Sequence, residues 1–252
     1  MNKEKTKLTI SITLFIIVLL LIGYVSFGYY RRATFDFQNP IVSMEIEGHG
    51  TIKIELYPEM APETVKNIIH LINEGHYDGL TFHRIETELS LIQGGDFAGD
   101  GSGGEEYSVP GEFFANGFRE NTLSFERGVV GLARQDFTQF AQIDPDVVEH
   151  GYNTGFAQFF IMAGDAPFFD GLYTGFGRVI EGIEIVDELL TIETQVDIDE
   201  ETGEEIETSR PVNAPVITRV TVETFGTEYR TPRLIRTFDI NEFLMEHFGL
   251  SF

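Results

Sequence analysis

The sequence predicts a mainly-β domain, a closed barrel of short strands capped by two α-helices, standing behind one N-terminal transmembrane helix. Three observations predict it. Residues 8–30 carry no charge. Residues 41–56 alternate apolar and polar side chains about Gly48, His49 and Gly50. Short apolar runs bounded by turn residues then recur, interrupted by two stretches of helical period.

The charge-free run, LTISITLFIIVLLLIGYVSFGYY, would extend roughly 35 Å as a helix, enough to cross a hydrocarbon layer. Its distal end is bulky: Val25, Phe27, Tyr29 and Tyr30 stand where a cleavage site needs small residues, so an uncleaved anchor is expected. Tyr24, Tyr29 and Tyr30 suit an interfacial aromatic belt. Lys3, Lys5 and Lys7 with the α-amino group precede the run, and Arg31 and Arg32 follow it. The larger positive charge in front points to a single-pass cell-membrane protein with its main domain outside the cytoplasm. The expected organisation is a tail and anchor (1–32), a tether (33–40), one globular domain (41–226) and a C-terminal extension (227–252).

Within the domain, residues 41–56 read as a β-hairpin. Residues 62–74 change period: Val65, Ile68, Ile69 and Ile72 fall on one helical face, with Pro62 at the start and Gly75 just past the end. Strand-like runs follow at 80–85, 89–93, 129–133, 159–163 and 173–179. A second helix is expected at 183–190, then an acidic hairpin at 197–207 and a last strand at 214–222. Three regions look like additions: a polar and aromatic loop at 135–152, the acidic hairpin, and a tail with an amphipathic segment at 240–248.

Composition excludes several functions. There is no Cys, hence no disulfide, no thiol catalysis and no Cys-ligated metal. The net charge is -24, and residues 1–32 hold five of the 17 basic residues but only Glu4 of the 41 acidic ones. The strongly acidic remainder repels phosphate backbones, so no nucleic-acid partner is expected. Gly99–Gly104 satisfies G-x-G-x-x-G, but Glu105 and Glu106 follow where a pyrophosphate would need a helix start. The acidic hairpin misplaces Gly and Glu for a calcium loop. The six His residues form no metal spacing, and His83, between Phe82 and Arg84, reads as a hydrogen-bonded structural histidine. No metal and no cofactor are expected.

More informative is an ordered set of short segments. Phe82-His83-Arg84-Ile85 is followed by Gln93-Gly94-Gly95-Asp96 and Gly101-Ser102-Gly103-Gly104. Then come Gly131-Leu132-Ala133-Arg134, Gln158-Phe159-Phe160-Ile161 and Phe176-Gly177-Arg178-Val179. In this order, over residues 41–225, the chain resembles the cyclophilin family of peptidyl-prolyl cis-trans isomerases, as a bacterial, membrane-anchored member. The resemblance implies a closed, eight-stranded antiparallel barrel and a foldase acting on X-Pro bonds of exported proteins. The alternative on the same fold is a non-catalytic module that binds proline peptides or scaffolds at the membrane.

By motif position, the resemblance makes Arg84 the catalytic residue, Gln93 and Gln158 active-site glutamines, and Phe160 the floor of a proline pocket. Leu91 falls at a pocket position usually held by Met. Gly101, Ala133 and Arg134 fall where substrate backbone is bound. Phe168, Phe169 and Tyr173 line the apolar wall. Two departures stand out. The run between Arg84 and Gln93 is one residue longer than usual, with Ser90 where Phe is expected and Leu89 as its substitute. The loop after Arg134 is also extended. The expected partners are proline-containing polypeptides and, through residues 8–30, a membrane.

Overall fold

The computed structural model describes residues 3–34, 38–103, 105–198 and 205–248. It divides into two units, residues 1–38 and 39–252. The first holds one helix, α1 (Lys3–Thr34), whose described side chains, Ile12 to Phe27, are all exposed. Among the described residues no helix is long and apolar enough to cross a membrane.

The second unit is built on an antiparallel sheet. Its strands and principal helices, in chain order, are β1 (Ile41–Ile46), β2 (Gly50–Leu56), α2 (Pro62–Asn73), β3 (Phe82–Glu86), β4 (Leu91–Gly94), β5 (Tyr107–Ser108), β6 (Val129–Leu132), α3 (Val147–His150), β7 (Phe159–Met162), β8 (Thr174–Glu181), α4 (Ile183–Leu190), β9 (Thr194–Ile198), β10 (Glu205–Pro211), β11 (Ile217–Glu223), β12 (Ile235–Arg236) and α5 (Ile240–Phe248). Eight strands form the main sheet in the order β11-β1-β2-β8-β6-β7-β4-β3. The expected hairpin is the β1–β2 pair, with Ile46 opposite Gly50. The tip of the acidic hairpin, residues 199–204, lies outside the described residues; its arms pair as β9 and β10.

The alternation read from the sequence puts Val42, Met44 and Ile46 of β1 and Ile52, Ile54 and Leu56 of β2 into one core. From α2, Val65, Ile68, Ile69 and Ile72 enter it, and from α4, Ile185, Val186 and Leu189. These helices are amphipathic and each lays its apolar stripe on the sheet.

The closed barrel is corrected in one respect: as a ladder the sheet is an open half-barrel with β11 and β3 at its ends. Among the described residues, a single bridge, Thr81 to Val216, and a few hydrogen bonds join those ends, including Phe82 N to Pro215 O at 3.0 Å and Ile217 N to Leu80 O at 2.8 Å. Pro215 has no N–H to return, so the ladder stops there.

Strands β6 and β7 are buried along their whole length, a continuous apolar character that marks strands covered on both faces. Val130, Leu132, Phe159 and Ile161 face the main core. Their alternates Val129, Phe160 and Met162 face a second cluster with Leu91, Phe125 and Ala166. This outer cluster bears the candidate site.

The start of α2 illustrates tertiary capping. Ala61 offers no side-chain cap, and the buried Glu112, far along the chain, accepts the N–H groups of Glu63 (2.8 Å) and Thr64 (2.9 Å). Burial raises the Glu112 carboxyl above its ordinary range, against the lowering effect of those two N–H donors. Glu112→Ala is therefore expected to cost about 1–2 kcal/mol of stability, read by denaturant unfolding. Because the folded-state value is raised, the contribution is full below the unfolded carboxyl value and declines as pH rises through the folded one. The stability gap between wild type and variant should thus be widest below the unfolded carboxyl value and narrower at neutral pH.

Candidate active site

Strand register builds a single row across the outer face. Arg84 on β3 stands opposite Gln93 on β4, Gln93 opposite Phe160 on β7, and Phe160 opposite Gly131 on β6. Directly paired residues of antiparallel strands point to the same face, so guanidinium, amide and aromatic ring are adjacent by construction. A register shift between Phe82 and Arg84 aims the arginine outward while Phe82 stays in the main core. Gly131 is required here. A Cβ at that position would lie 2.3 Å from Phe160 Cζ and 2.8 Å from Phe125 Cε1.

A chain of side-chain hydrogen bonds runs along the row. Arg84 Nη1 donates to Gln93 Oε1 (3.3 Å), and Gln93 Nε2 donates to Gln158 Oε1 (2.9 Å). Gln158 Nε2 donates to Asp96 Oδ1 at 3.0 Å and lies 3.4 Å from the Gly101 carbonyl. Buried Asp96 accepts the Gly101 amide on its other oxygen at 2.9 Å, which folds the glycine loop over this end of the site. The Gln158 carbonyl accepts the Ala133 amide at 2.9 Å. A cavity of about 210 Å³ opens here, lined by Gln93, Asp96, Ala133, Arg134, Gln158 and Thr237 among others. The other nitrogen of Arg84, Nη2, donates to Glu86 Oε2 at 3.1 Å. Burial alone would raise the Glu86 carboxyl, but the hydroxyl of Ser209 and Arg84 outweigh it and hold it below its usual range.

The apolar part is an aromatic cluster. Phe160 stacks on Phe125 (centroids 5.6 Å apart) and meets Phe169 and Tyr173 edge-on, both at 5.7 Å. Phe160 is only 3% exposed. It is the centre of the cluster, and the surface is left to the partly buried Phe169 and Tyr173 and to the exposed Phe168, 4.7 Å from Phe169. Arg134 stacks over Tyr173, with its guanidinium carbon 4.4 Å from the ring centroid, and donates from Nε to the Leu172 carbonyl. Burial raises the Tyr173 hydroxyl above its ordinary value, with Arg134 opposing, so it stays protonated at neutral pH.

Residues 41–222 match the family described as cyclophilin type peptidyl-prolyl cis-trans isomerase/CLD. The chain belongs to this family of isomerases. Among its relatives, peptidyl-prolyl cis-trans isomerase-like 1 of Rhizopus delemar is 37% identical over 145 residues, 58% of this chain and 77% of that protein. Peptidyl-prolyl cis-trans isomerase B of Bacillus subtilis is 37% identical over 139 residues, 55% of this chain and 82% of that protein. Two structures of a Cryptosporidium parvum cyclophilin-type isomerase, the first solved in the presence of the dipeptide Ala-Pro, match with TM-scores of 0.54 and 0.55. Their identity is 24% and 25%, over 73% of this chain and 98% and 97% of those chains.

In this cyclophilin the extra residue between Arg84 and Gln93 is taken up in the β3–β4 turn. Ser90 adopts a left-handed backbone (φ 52) and its amide closes on Thr87 O, while Leu89 and Leu91 both reach the outer cluster. His83 is buried, but neither ring nitrogen has a hydrogen-bond partner among the described residues, so the hydrogen-bonded histidine expected from the sequence is corrected. Burial lowers its pKa and keeps the ring neutral.

Three contributors escaped sequence reasoning. Phe125 precedes the predicted strand at 129–133, and only its alternation with Leu123 marked it. Asp96 closes the Gln93-Gly94-Gly95-Asp96 motif, where its residue type alone marks no role. Glu86, two residues after Arg84, shares its strand face. Gly131→Ala is expected to push the Phe160 ring out of register and to destabilise the cyclophilin domain by about 1–3 kcal/mol. Denaturant unfolding reads the loss, and a shifted Phe160 ring environment by NMR reads its origin.

Proposed function

We propose that the isomerase acts on X-Pro bonds through Arg84, and that it does so on exported proteins from a membrane anchor. The observation that carries the catalytic reading is the shared face of Arg84, Gln93 and Phe160. Rotation about an X-Pro bond breaks amide resonance, a barrier of about 20 kcal/mol. The twisted transition state has a pyramidal prolyl nitrogen with a lone pair. A guanidinium is protonated at any relevant pH and can donate to that lone pair. Such a bond is strong only in the twisted state, which lowers the barrier rather than merely binding the substrate.

Gln93 supports this role by holding one nitrogen of Arg84. The prolyl ring lies against Leu91, Phe169 and Tyr173 with Phe160 beneath, an apolar surround that favours the less polar twisted amide. The peptide on the other side of the proline runs past Gln158, Gly101, Ala133 and Arg134, where the cavity supplies hydrogen-bonding groups. No step requires a covalent intermediate. Arg84→Ala is expected to lower kcat/KM on an Ala-Pro peptide at least about tenfold, about 1.4 kcal/mol of transition-state stabilisation. Unchanged turnover in a protease-coupled assay removes Arg84 from the mechanism.

Support for the anchor is the charge-free run at 8–30, continuous in sequence with helix α1, and the exposure of its large apolar side chains, Phe15, Leu20, Val25 and Phe27 among them. Exposed apolar surface of this extent calls for an apolar solvent. The natural sequence lacks cysteine, so Glu228→Cys introduces a single thiol at an exposed position. A membrane-impermeant maleimide should label it in intact cells. Labelling only after lysis overturns the extracytoplasmic placement.

A further inference from the structure

The additions to the barrel include the acidic hairpin, and one arm of it reaches the catalytic row. Ser209 of β10 donates its hydroxyl to Glu86 Oε2 at 2.6 Å, across 123 residues of sequence. The same oxygen accepts Arg84 Nη2 at 3.1 Å. Glu86 is therefore a shared acceptor, on the same strand face as Arg84 and two residues beyond it. Its side chain is 19% exposed against 40% for Arg84, so the carboxylate is the more fixed partner of the two. The hairpin arm is itself held: Thr208 donates to the Gln195 carbonyl at 2.8 Å, and Arg210 reaches Asp197 at 3.4 Å. Between hairpin and row lies a cleft of about 290 Å³, lined by His83, Arg84, Gln93, Thr208, Ser209 and Arg210 among others.

We propose that Glu86, braced by Ser209 from the β9–β10 hairpin, is a positioning residue that sets the orientation of the Arg84 guanidinium. This rests on the reading of Arg84 as the catalytic donor. The geometry explains why one is needed. An arginine side chain carries large rotamer freedom, and its planar fork is useful only in a fixed orientation. Gln93 holds Nη1 through an uncharged acceptor at a longer 3.3 Å. Glu86 holds Nη2 at 3.1 Å with both partners charged, the stronger of the two contacts. Together the two acceptors fix the guanidinium plane and leave its remaining N–H groups for substrate.

The test measures kcat and KM of the full chain in detergent micelles on an Ala-Pro peptide. Glu86→Ala should lower kcat about tenfold with KM within about twofold, since the loss falls on orientation and not on ground-state binding. Ser209→Ala should give a smaller loss of about threefold in kcat, and Glu86→Gln a loss between the two. In the Arg84→Ala background, adding Glu86→Ala should change nothing further. An unchanged or higher kcat in Glu86→Ala, or an equal drop with Arg84 already absent, overturns the inference. Should Glu86→Ala not fold, Ser209→Ala and Glu86→Gln decide the matter by the same readout, and unchanged kcat in both overturns it. Silence of Arg84→Ala itself would sink the catalytic reading instead, so the two failures remain distinct.

Discussion

Strands β7 and β6 are covered on both faces, and β4 is covered except at Gln93; the site's geometry follows from that constraint. Their inner residues Ile92, Phe159, Ile161 and Val130 belong to the main core, so the period of two leaves Leu91, Gln93, Phe160 and Gly131 no choice of side. A slip of one residue would bury Gln93 in the core and expose Ile92, exchanging a satisfied amide for an orphaned one. The main core thus holds the row of Arg84, Gln93, Phe160 and Gly131 in register with the full weight of its apolar burial. The outer cluster in turn shields β6 and β7, whose sequences, VVGL and FFIM, would otherwise present apolar surface to water.

Upon this rigid floor the polar groups form one continuous chain. It runs from Asp96 through Gln158, Gln93 and Arg84 to Glu86 and Ser209. Carboxylates stand toward both ends: Asp96 anchors the glycine loop, and Glu86 meets the acidic hairpin. Each amide in between donates in one direction and accepts from the other, so the orientation of every member constrains the next. Of these six residues only Arg84 is a cation. On the reading proposed for Arg84, an acidic domain is no handicap, because the neighbouring carboxylates of Glu86 and Asp96 stand as acceptors in the chain.

The additions seen in the sequence are integrated with the domain. The tail contributes β12, which pairs with β5, and Thr237 donates its amide to Glu106 O at 2.9 Å. Phe238 stacks on His150 at 4.1 Å and sits 5.8 Å from Phe137. The extended loop after Arg134 and the C-terminal tail therefore brace each other beside the cavity at Gln158. The 240–248 period announced a helix but not this contact, because two-residue strands and isolated aromatic contacts carry no repeating pattern.

Local pattern was enough for what local physics governs. The amphipathic stretch at 183–190 and the segment at 240–248 are helices over those same residues, and the 41–56 alternation is a hairpin about Gly48. Spacing within short motifs likewise put Arg84, Gln93 and Gln158 forward together. What lay beyond sequence were contacts between residues far apart in the chain: the Glu112 cap on α2, the Phe125 ring under Phe160, the seam at Pro215 and the hydroxyl of Ser209 on Glu86. Periodicity and capping are written within a few neighbouring residues and survive being read one window at a time. Which distant side chain fills a gap or satisfies a buried acceptor is decided only when the sheet closes the distance between them.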